Sequence, residues 1–96
     1  MADLERIKRD IKKIAQHPAS TRFREIERVV RQLGEVEGEV EYDVKIRPGH
    51  TNLFTVQDQR WGVCRHNKGR KHVKICYVRE FLRAMANLDL YDEGEQ

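Results

Sequence analysis

Two histidines of this 96-residue chain lie near basic residues, where an imidazole could move a proton on a phosphate-bearing substrate. His50 follows the Pro48-Gly49 turn, and His66 follows Arg65 and precedes Lys68. Cleavage of RNA needs a base that takes the proton of a ribose 2′-hydroxyl and an acid that protonates the leaving oxygen, and imidazole performs both near neutral pH. His50 is therefore a candidate catalytic residue. The alternatives are an ordinary polar turn residue at His50, and a phosphate contact or a solvated strand end at His66.

Charged residues are clustered by sign along the chain. Residues 35–43 carry five acids and no base, residues 57–74 carry six bases and one acid, and residues 89–96 carry four acids. The net charge of +3 therefore conceals a basic segment between two acidic ones. Such a segment can bind phosphate backbones, or it can be a solvated β-ribbon with its bases at a loop. The candidate RNA contacts are Arg47, Arg60, Arg65, His66, Lys68, Arg70 and Lys71.

Motifs for metal ions and nucleotide phosphates do not occur in the sequence. The four histidines and two cysteines show no CxxC or HxxxH spacing, although Cys64 and His66 could face the same way on a strand. Neither GxGxxG nor GxxxxGK[ST] is present. We therefore expect no metal and no cofactor, and we interpret Cys64 as a small hydrophobic residue rather than a nucleophile.

Length and composition predict one folded domain. A chain of 96 residues with 39% hydrophobic residues can build a single core, but not an additional cofactor domain. No apolar run approaches the length of about 18 residues that a membrane span needs, and the start MADLERIKRD lacks the apolar region of a signal peptide. We expect a cytoplasmic protein without membrane contact, with Cys64 and Cys76 reduced.

The first element predicted from the sequence is a helix over residues 3–16 with Asp3 as its N-cap. Its apolar stripe is narrow and consists of Leu4, Ile7, Ile11 and Ile14. A stripe of this width either lies on the domain or pairs with another copy of the chain. The second possibility would make self-association the role of this helix, as in a structural or assembly protein.

Two further helices are predicted from apolar spacing. One starts at Ser20 or Thr21 and ends at Gly34, which would be a left-handed C-cap. Its broad apolar face consists of Phe23, Ile26, Val29, Val30 and Leu33. The other is the last element and runs from about Cys76 to Asn87.

Between these two helices the hydrophobic period changes to two, which predicts strands. We expect strands from Val36 to Ile46, over residues 51–57 and over residues 60–65, with turns at Pro48-Gly49 and Asp58-Gln59. Strands joined by short turns form an antiparallel meander, and the helices before and after it would cover one face. The predicted fold class is α+β, in the order α-α-β-β-β-α.

The acidic first strand would affect the basic segment if the first and third strands were neighbours. In that case Glu39 and Glu41 could neutralise Arg60 and Arg65 by cross-strand pairing. Such pairing would weaken any binding of RNA.

Four segments, taken in order, resemble the HicA family of small mRNA-cleaving toxins from bacterial toxin–antitoxin pairs. They are HPASTRFREIERVVRQLG, PGHTNLF, WGVCRH and KICYVREFLRAM. The first is similar to the family's opening turn, Arg-Phe and helix ending in Leu-Gly, and the second lies where the family has Gly-Ser-His or Gly-Ser-Asn-His. The resemblance implies a double-stranded-RNA-binding-like (dsRBD-like) α-β-β-β-α domain over residues 18–90, with residues 1–17 as an added helix and residues 91–96 as an acidic tail.

The resemblance also implies a function, namely metal-independent cleavage of mRNA by a toxin that a cognate antitoxin protein neutralises by covering the sheet. His66 matches the family's third-strand histidine. When the chain is aligned on Gly49 and Phe54, the family's catalytic histidine falls on Thr51, or on Asn52 in the longer motif.

Neither Thr51 nor Asn52 can take up or release a proton near neutral pH, and His50 is displaced from them by one or two residues. A shift of one residue turns a strand side chain to the opposite face, although a bulge or the preceding turn can restore its direction. The alternative is a non-catalytic module of the same fold that binds RNA or a protein.

Overall fold

A computed structural model describes residues 3–36, 41–49, 51–64 and 72–92 of the chain. The helices are α1 (Leu4–Gln16), α2 (Phe23–Glu35) and α3 (Ile75–Asn87), with a short 3-10 helix at Pro18–Ser20. The strands are β1 (Val44–Arg47), β2 (Thr51–Val56) and β3 (Gln59–Cys64), and they form one sheet in the order β1-β2-β3. Both strand pairs are antiparallel, so the predicted α+β class and the meander are confirmed.

Helix α1 begins where the sequence predicts, because an Asp3 carboxylate oxygen accepts a hydrogen bond from the Arg6 amide at 2.8 Å. It packs against α2 and α3 and shares their core. Leu4 is partly buried, and three residues of the stripe are fully buried: Ile7, Ile11 and Ile14. The helix therefore lies on the domain. Pairing with another copy through this stripe would require α1 to leave the core of its own chain.

Helix α2 differs from its prediction at both ends. It begins later, at Phe23, after the 3-10 helix, where the Glu25 carboxylate accepts a hydrogen bond from the Arg22 amide at 2.7 Å. It ends at Glu35, and Gly34 lies inside the helix instead of capping it. Gly34 faces Val44 of β1, whose Cβ is 3.6 Å from the place a Gly34 Cβ would occupy, so this glycine contributes to helix–sheet packing.

Strand β1 is shorter than predicted. The turn after β2 lies at Gln57 and Asp58, one position earlier than predicted. The last hydrogen bond between β1 and β2 therefore runs from the Gln57 amide to the Asp43 carbonyl, at 2.9 Å. Residues before Asp43 therefore have no part of β2 left to pair with. Val36 and residues 41–43 are not in a strand, and residues 37–40 lie outside the described residues.

The buried face of the sheet is joined to the helices by aromatic side chains. Trp61 of β3 stacks on Phe54 of β2 with ring centroids 5.6 Å apart, and it meets Phe81 of α3 at 5.9 Å. Phe54 also meets Phe23 of α2 at 5.9 Å. The predicted apolar face of α3 is buried in this core: Val78, Phe81, Leu82 and Met85.

Helix α3 ends at Asn87 as predicted, in a motif that fixes the following residues. The Leu90 amide donates to the Met85 carbonyl at 2.9 Å and the Asp89 amide donates to the Ala86 carbonyl at 3.0 Å, which is the Schellman pattern. Asp89 adopts a left-handed φ of 61°, and Leu90 is buried. A non-glycine residue in this conformation is strained.

Replacing Asp89 by glycine should raise the free energy of unfolding by about 1 kcal/mol, because glycine adopts the left-handed region without a Cβ clash. Asp89→Asn is the matched control, because it removes the negative charge from the helix C-terminus but keeps a side chain of the same size. It should raise the free energy of unfolding by only about 0.5 kcal/mol. Urea denaturation followed by Trp61 fluorescence measures both. A glycine variant no more stable than the asparagine variant would contradict the strain at this cap.

Candidate functional site

One face of the sheet has no buried side chain. Alternation of side chains along the three strands places eight residues on this face: Lys45, Arg47, Thr51, Leu53, Thr55, Arg60, Gly62 and Cys64. All of them are exposed or half-buried, whereas the opposite face holds the aromatic core. We name this surface the open sheet face.

The strand register arranges the open sheet face in rows. The three rows, read from β1 to β3, are Lys45–Thr55–Arg60, Arg47–Leu53–Gly62 and Thr51–Cys64. Because neighbouring residues on one face are two positions apart, consecutive rows are separated by roughly 7 Å. The surface therefore has cations at both ends of its first row and at one end of its second, with small or apolar side chains between them.

The charge of the open sheet face is entirely positive. None of its eight residues is acidic, and Lys45, Arg47 and Arg60 form no ion pair with any acid of the described segments. By contrast, Arg31 on α2 pairs with Glu27 at 3.6 Å. Exposed cations without counter-charges provide an attractive surface for a polyanion.

Neutralisation of Arg60 and Arg65 by Glu39 and Glu41 depended on the first and third strands being neighbours. That premise is wrong, because β2 lies between β1 and β3. Arg60 is opposite Thr55 of β2. Glu41 lies beyond the end of the β1–β2 ladder, where its carbonyl accepts a hydrogen bond from the Gln57 side chain at 2.6 Å. Glu39 and Arg65 lie outside the described residues.

Two of the residues predicted to bind RNA, Arg47 and Arg60, are placed together on the open sheet face, and both are exposed. The other predicted site residues lie outside the described residues: His50, Arg65, His66, Lys68, Arg70 and Lys71. Sequence reasoning missed Lys45 and Leu53. For Lys45 the signal was available, since it precedes Arg47 by two positions on a strand and therefore shares its face.

The resemblance to the HicA family would place that family's histidine on Thr51 or Asn52, and these two residues face opposite sides of the sheet. Thr51 is exposed on the open sheet face, opposite Cys64. Asn52 is buried on the core face, with 6% of its surface exposed. Only the Thr51 position could direct a side chain toward a ligand on the basic surface, and threonine does not transfer protons near neutral pH.

Tyr42, in the segment before β1, is half-buried against the core and lies near Asp89, which follows α3. Burial raises the pKa of the Tyr42 phenol above its ordinary value, and the nearby Asp89 carboxylate raises it further because a second negative charge is disfavoured there. The phenol is therefore neutral below that raised pKa, and its side chain packs against the hydrophobic core.

Within the described segments, no three His, Cys, Asp or Glu side chains are grouped so that they could hold a metal ion. None of the helices there combines the length and the apolarity that crossing a bilayer requires. Cys64 and Cys76 are both thiols, since neither forms a disulfide.

Comparison of the chain with protein-family models, curated proteins and solved structures finds no match. The resemblance to the HicA family therefore stays a prediction. What the open sheet face can bind follows from its residues, their register and their charge.

Raising the pH above about 10 should lower the free energy of unfolding, because the unfolded chain releases the Tyr42 proton at its ordinary pKa while the folded chain retains it. The stability that the neutral Tyr42 phenol contributes is fully present below the ordinary pKa of tyrosine, and it is lost as the pH rises through the raised pKa of the folded protein. Urea midpoints measured from about pH 8 to pH 11 should fall less steeply for Tyr42→Phe. Tyr91→Phe is the control, and equal slopes for Tyr42→Phe and the unmodified protein would refute the shift.

Proposed function

We propose that this protein binds RNA through the open sheet face, as a HicA-like toxin that cleaves mRNA and is neutralised by an antitoxin protein covering the sheet. A dsRBD-like arrangement of residues 18–90 is part of this proposal. It is supported by the succession of α2, an antiparallel three-stranded sheet and α3. The observation that carries the proposal is the set of cations on this face, which no acid of the described segments neutralises.

The chemistry of the open sheet face suits a phosphate backbone. Arginine offers a planar fork of N–H donors that matches phosphate oxygens, and Arg47 and Arg60 supply two of them. Lys45 and Arg60 lie in one row on the two outer strands, about 10 Å apart, so one RNA strand can contact both. The hydroxyls of Thr51 and Thr55 can bond to phosphate or 2′-hydroxyl oxygens on the same surface.

The sequence after β3 carries further positive charge. Four bases follow Cys64, the last residue of the strand, within a short stretch of sequence: Arg65, Lys68, Arg70 and Lys71. Each phosphate that is neutralised releases counterions, so binding by such a surface weakens steeply as salt increases.

Cleavage in this proposal depends on His50, which precedes Thr51 in the sequence. The 2′-hydroxyl loses its proton to a base and its oxygen attacks the adjacent phosphorus, while the 5′-oxygen leaves with a proton from an acid. Imidazole can be either partner near neutral pH, so the reaction needs no metal. His66, after β3, would contact phosphate.

The second candidate function is a non-catalytic module of the same fold that binds RNA or a protein partner. The observation that favours it is the residue type at the two positions aligned with the family's histidine. Thr51 cannot act as a proton carrier near neutral pH, and Asn52 is buried on the core face.

Removing two cations from the open sheet face should weaken RNA binding. The double variant Arg47→Ala/Arg60→Ala should lose roughly tenfold in affinity, and its slope of log K against log salt should fall by about 1.4 for a single strand, since two phosphate contacts disappear. Fluorescence anisotropy with a labelled RNA strand measures both quantities.

The matched control is Arg24→Ala/Arg28→Ala, which removes the same charge from the exposed side of α2, behind the buried face of the sheet. It should leave affinity within about threefold, since these residues contact no bound phosphate in the proposal. Equal losses for the two double variants would show that net charge alone governs binding. Binding that does not depend on salt would exclude a phosphate interface.

Replacing His50 by alanine should reduce mRNA cleavage by about a hundredfold or more, because a positioned proton carrier contributes that much. His72→Ala removes another histidine, one exposed before α3, and should leave cleavage unchanged. Gel analysis of a purified transcript measures the rate. Undiminished cleavage by the His50 variant would remove that residue from catalysis, and RNA binding without any cleavage by the unmodified protein would favour the second candidate.

A further inference from the structure

We infer that the open sheet face selects single-stranded RNA, by seating one unpaired base on an apolar notch formed by Leu53, Thr51 and Gly62. This inference rests on the proposed binding of RNA, and it specifies which form of RNA the face takes and where a base lies on it.

The notch is centred on Leu53. Its side chain is 51% exposed, and among the described residues only Ile75 is another large apolar side chain with comparable exposure. Leu53 occupies the middle strand, with Arg47 opposite it on one side and Gly62 on the other. An exposed leucine at the centre of a cationic surface needs an apolar partner to be removed from water.

Gly62 keeps the surface beside Leu53 low. A Cβ atom at Gly62 would lie 2.9 Å from the Thr51 Cγ2 atom and 3.7 Å from the Leu53 Cδ2 atom. The Thr51 methyl group therefore lies over the backbone of Gly62 and forms the floor of the notch, and a Leu53 methyl group borders it. A flat apolar group can rest on this floor, because Gly62 has no side chain that would rise beside it.

Cations lie on two sides of the notch. Arg47 is in the same row, and Arg60 is two residues before Gly62 on β3, roughly 7 Å away. A ligand that fits must combine a flat apolar part with negative charge on both sides of it. An unpaired nucleotide has this form, since its base presents a π-face and its backbone carries a phosphate on each side.

A duplex does not meet these requirements. In an A-form helix the faces of the bases are stacked inside, and the outer surface consists of phosphates, 2′-hydroxyls and base edges. Placing Leu53 against that surface would remove polar groups from water without giving the leucine an apolar partner. The cations would still attract a duplex, but the notch would contribute nothing to its binding.

The test compares two labelled RNAs in fluorescence anisotropy. One is a strand of about 12 nucleotides without self-complementarity, and the other is the same strand annealed to its complement. Leu53→Ala should reduce affinity for the single strand by about fivefold or more, because apolar area is lost from the contact, and should leave duplex affinity within about twofold. Ile75→Ala, which shortens the other exposed apolar side chain, should change neither.

A second pair of variants fills the notch while sparing Leu53. A side chain at Gly62 would press its Cβ on the Thr51 methyl group, so the variant also needs Thr51→Ser, which removes that methyl group and keeps the hydroxyl. Thr51→Ser/Gly62→Val then places two methyl groups above the floor in place of one. The double variant should keep the near-ultraviolet circular dichroism of the unmodified protein and lose single-strand affinity selectively, and its loss should exceed that of Thr51→Ser alone.

The outcomes separate the inference from the proposed function. Selective loss of single-strand binding in the Leu53 and notch-filling variants supports the inference. Equal affinity for strand and duplex, with no effect of Leu53→Ala, overturns the inference and leaves phosphate binding by Arg47 and Arg60 intact. Failure of the unmodified protein to bind either RNA overturns both. Binding of polyglutamate with the same dependence on Leu53 would assign the patch to an acidic protein and also overturn the inference.

Discussion

The packing of Trp61 between Phe54 and Phe81 determines which face of the sheet is buried, and the character of the other face follows from it. The indole stacks on Phe54 at 5.6 Å between ring centroids, with an interplanar angle of 19°, and meets Phe81 at 5.9 Å. Since side chains alternate along a strand, directing Trp61 inward directs Arg60 outward. A slip of one residue would bury Arg60 and expose Trp61, so the aromatic contact also fixes the register.

In the described part of the structure the helices pack on one side of the sheet, and the second face stays open there. Helices α2 and α3 contact the sheet through its aromatic face, and α1 packs against them rather than on the other side of the strands. What remains on the open sheet face is three cations, small residues and Leu53. In the proposed function this surface binds a polyanion by its charge, and its apolar centre adds a requirement that a phosphate backbone alone does not satisfy.

The sequence predicts most elements because their signals are local. Asp3 caps α1, apolar spacing defines all three helices, and the change of period locates the strands. The predictions from the sequence were wrong where pairing with a neighbouring strand determines the structure. Alternation from Val36 to Ile46 suggests one long strand, but pairing stops where β2 turns at Gln57. The importance of Leu53 was not predictable either, because its neighbours Arg47 and Gly62 are set by the strand register, which is a property of the fold.

The most direct test of the open sheet face as an RNA interface is a titration of the isotopically labelled protein with single-stranded RNA, followed by amide chemical shifts. The account predicts that the largest changes occur at residues of the three strands, including Lys45, Leu53 and Gly62, and that they diminish at high salt. Chemical-shift changes confined to the exposed sides of α1 and α2, with the amide shifts of the three strands unchanged, would contradict the account.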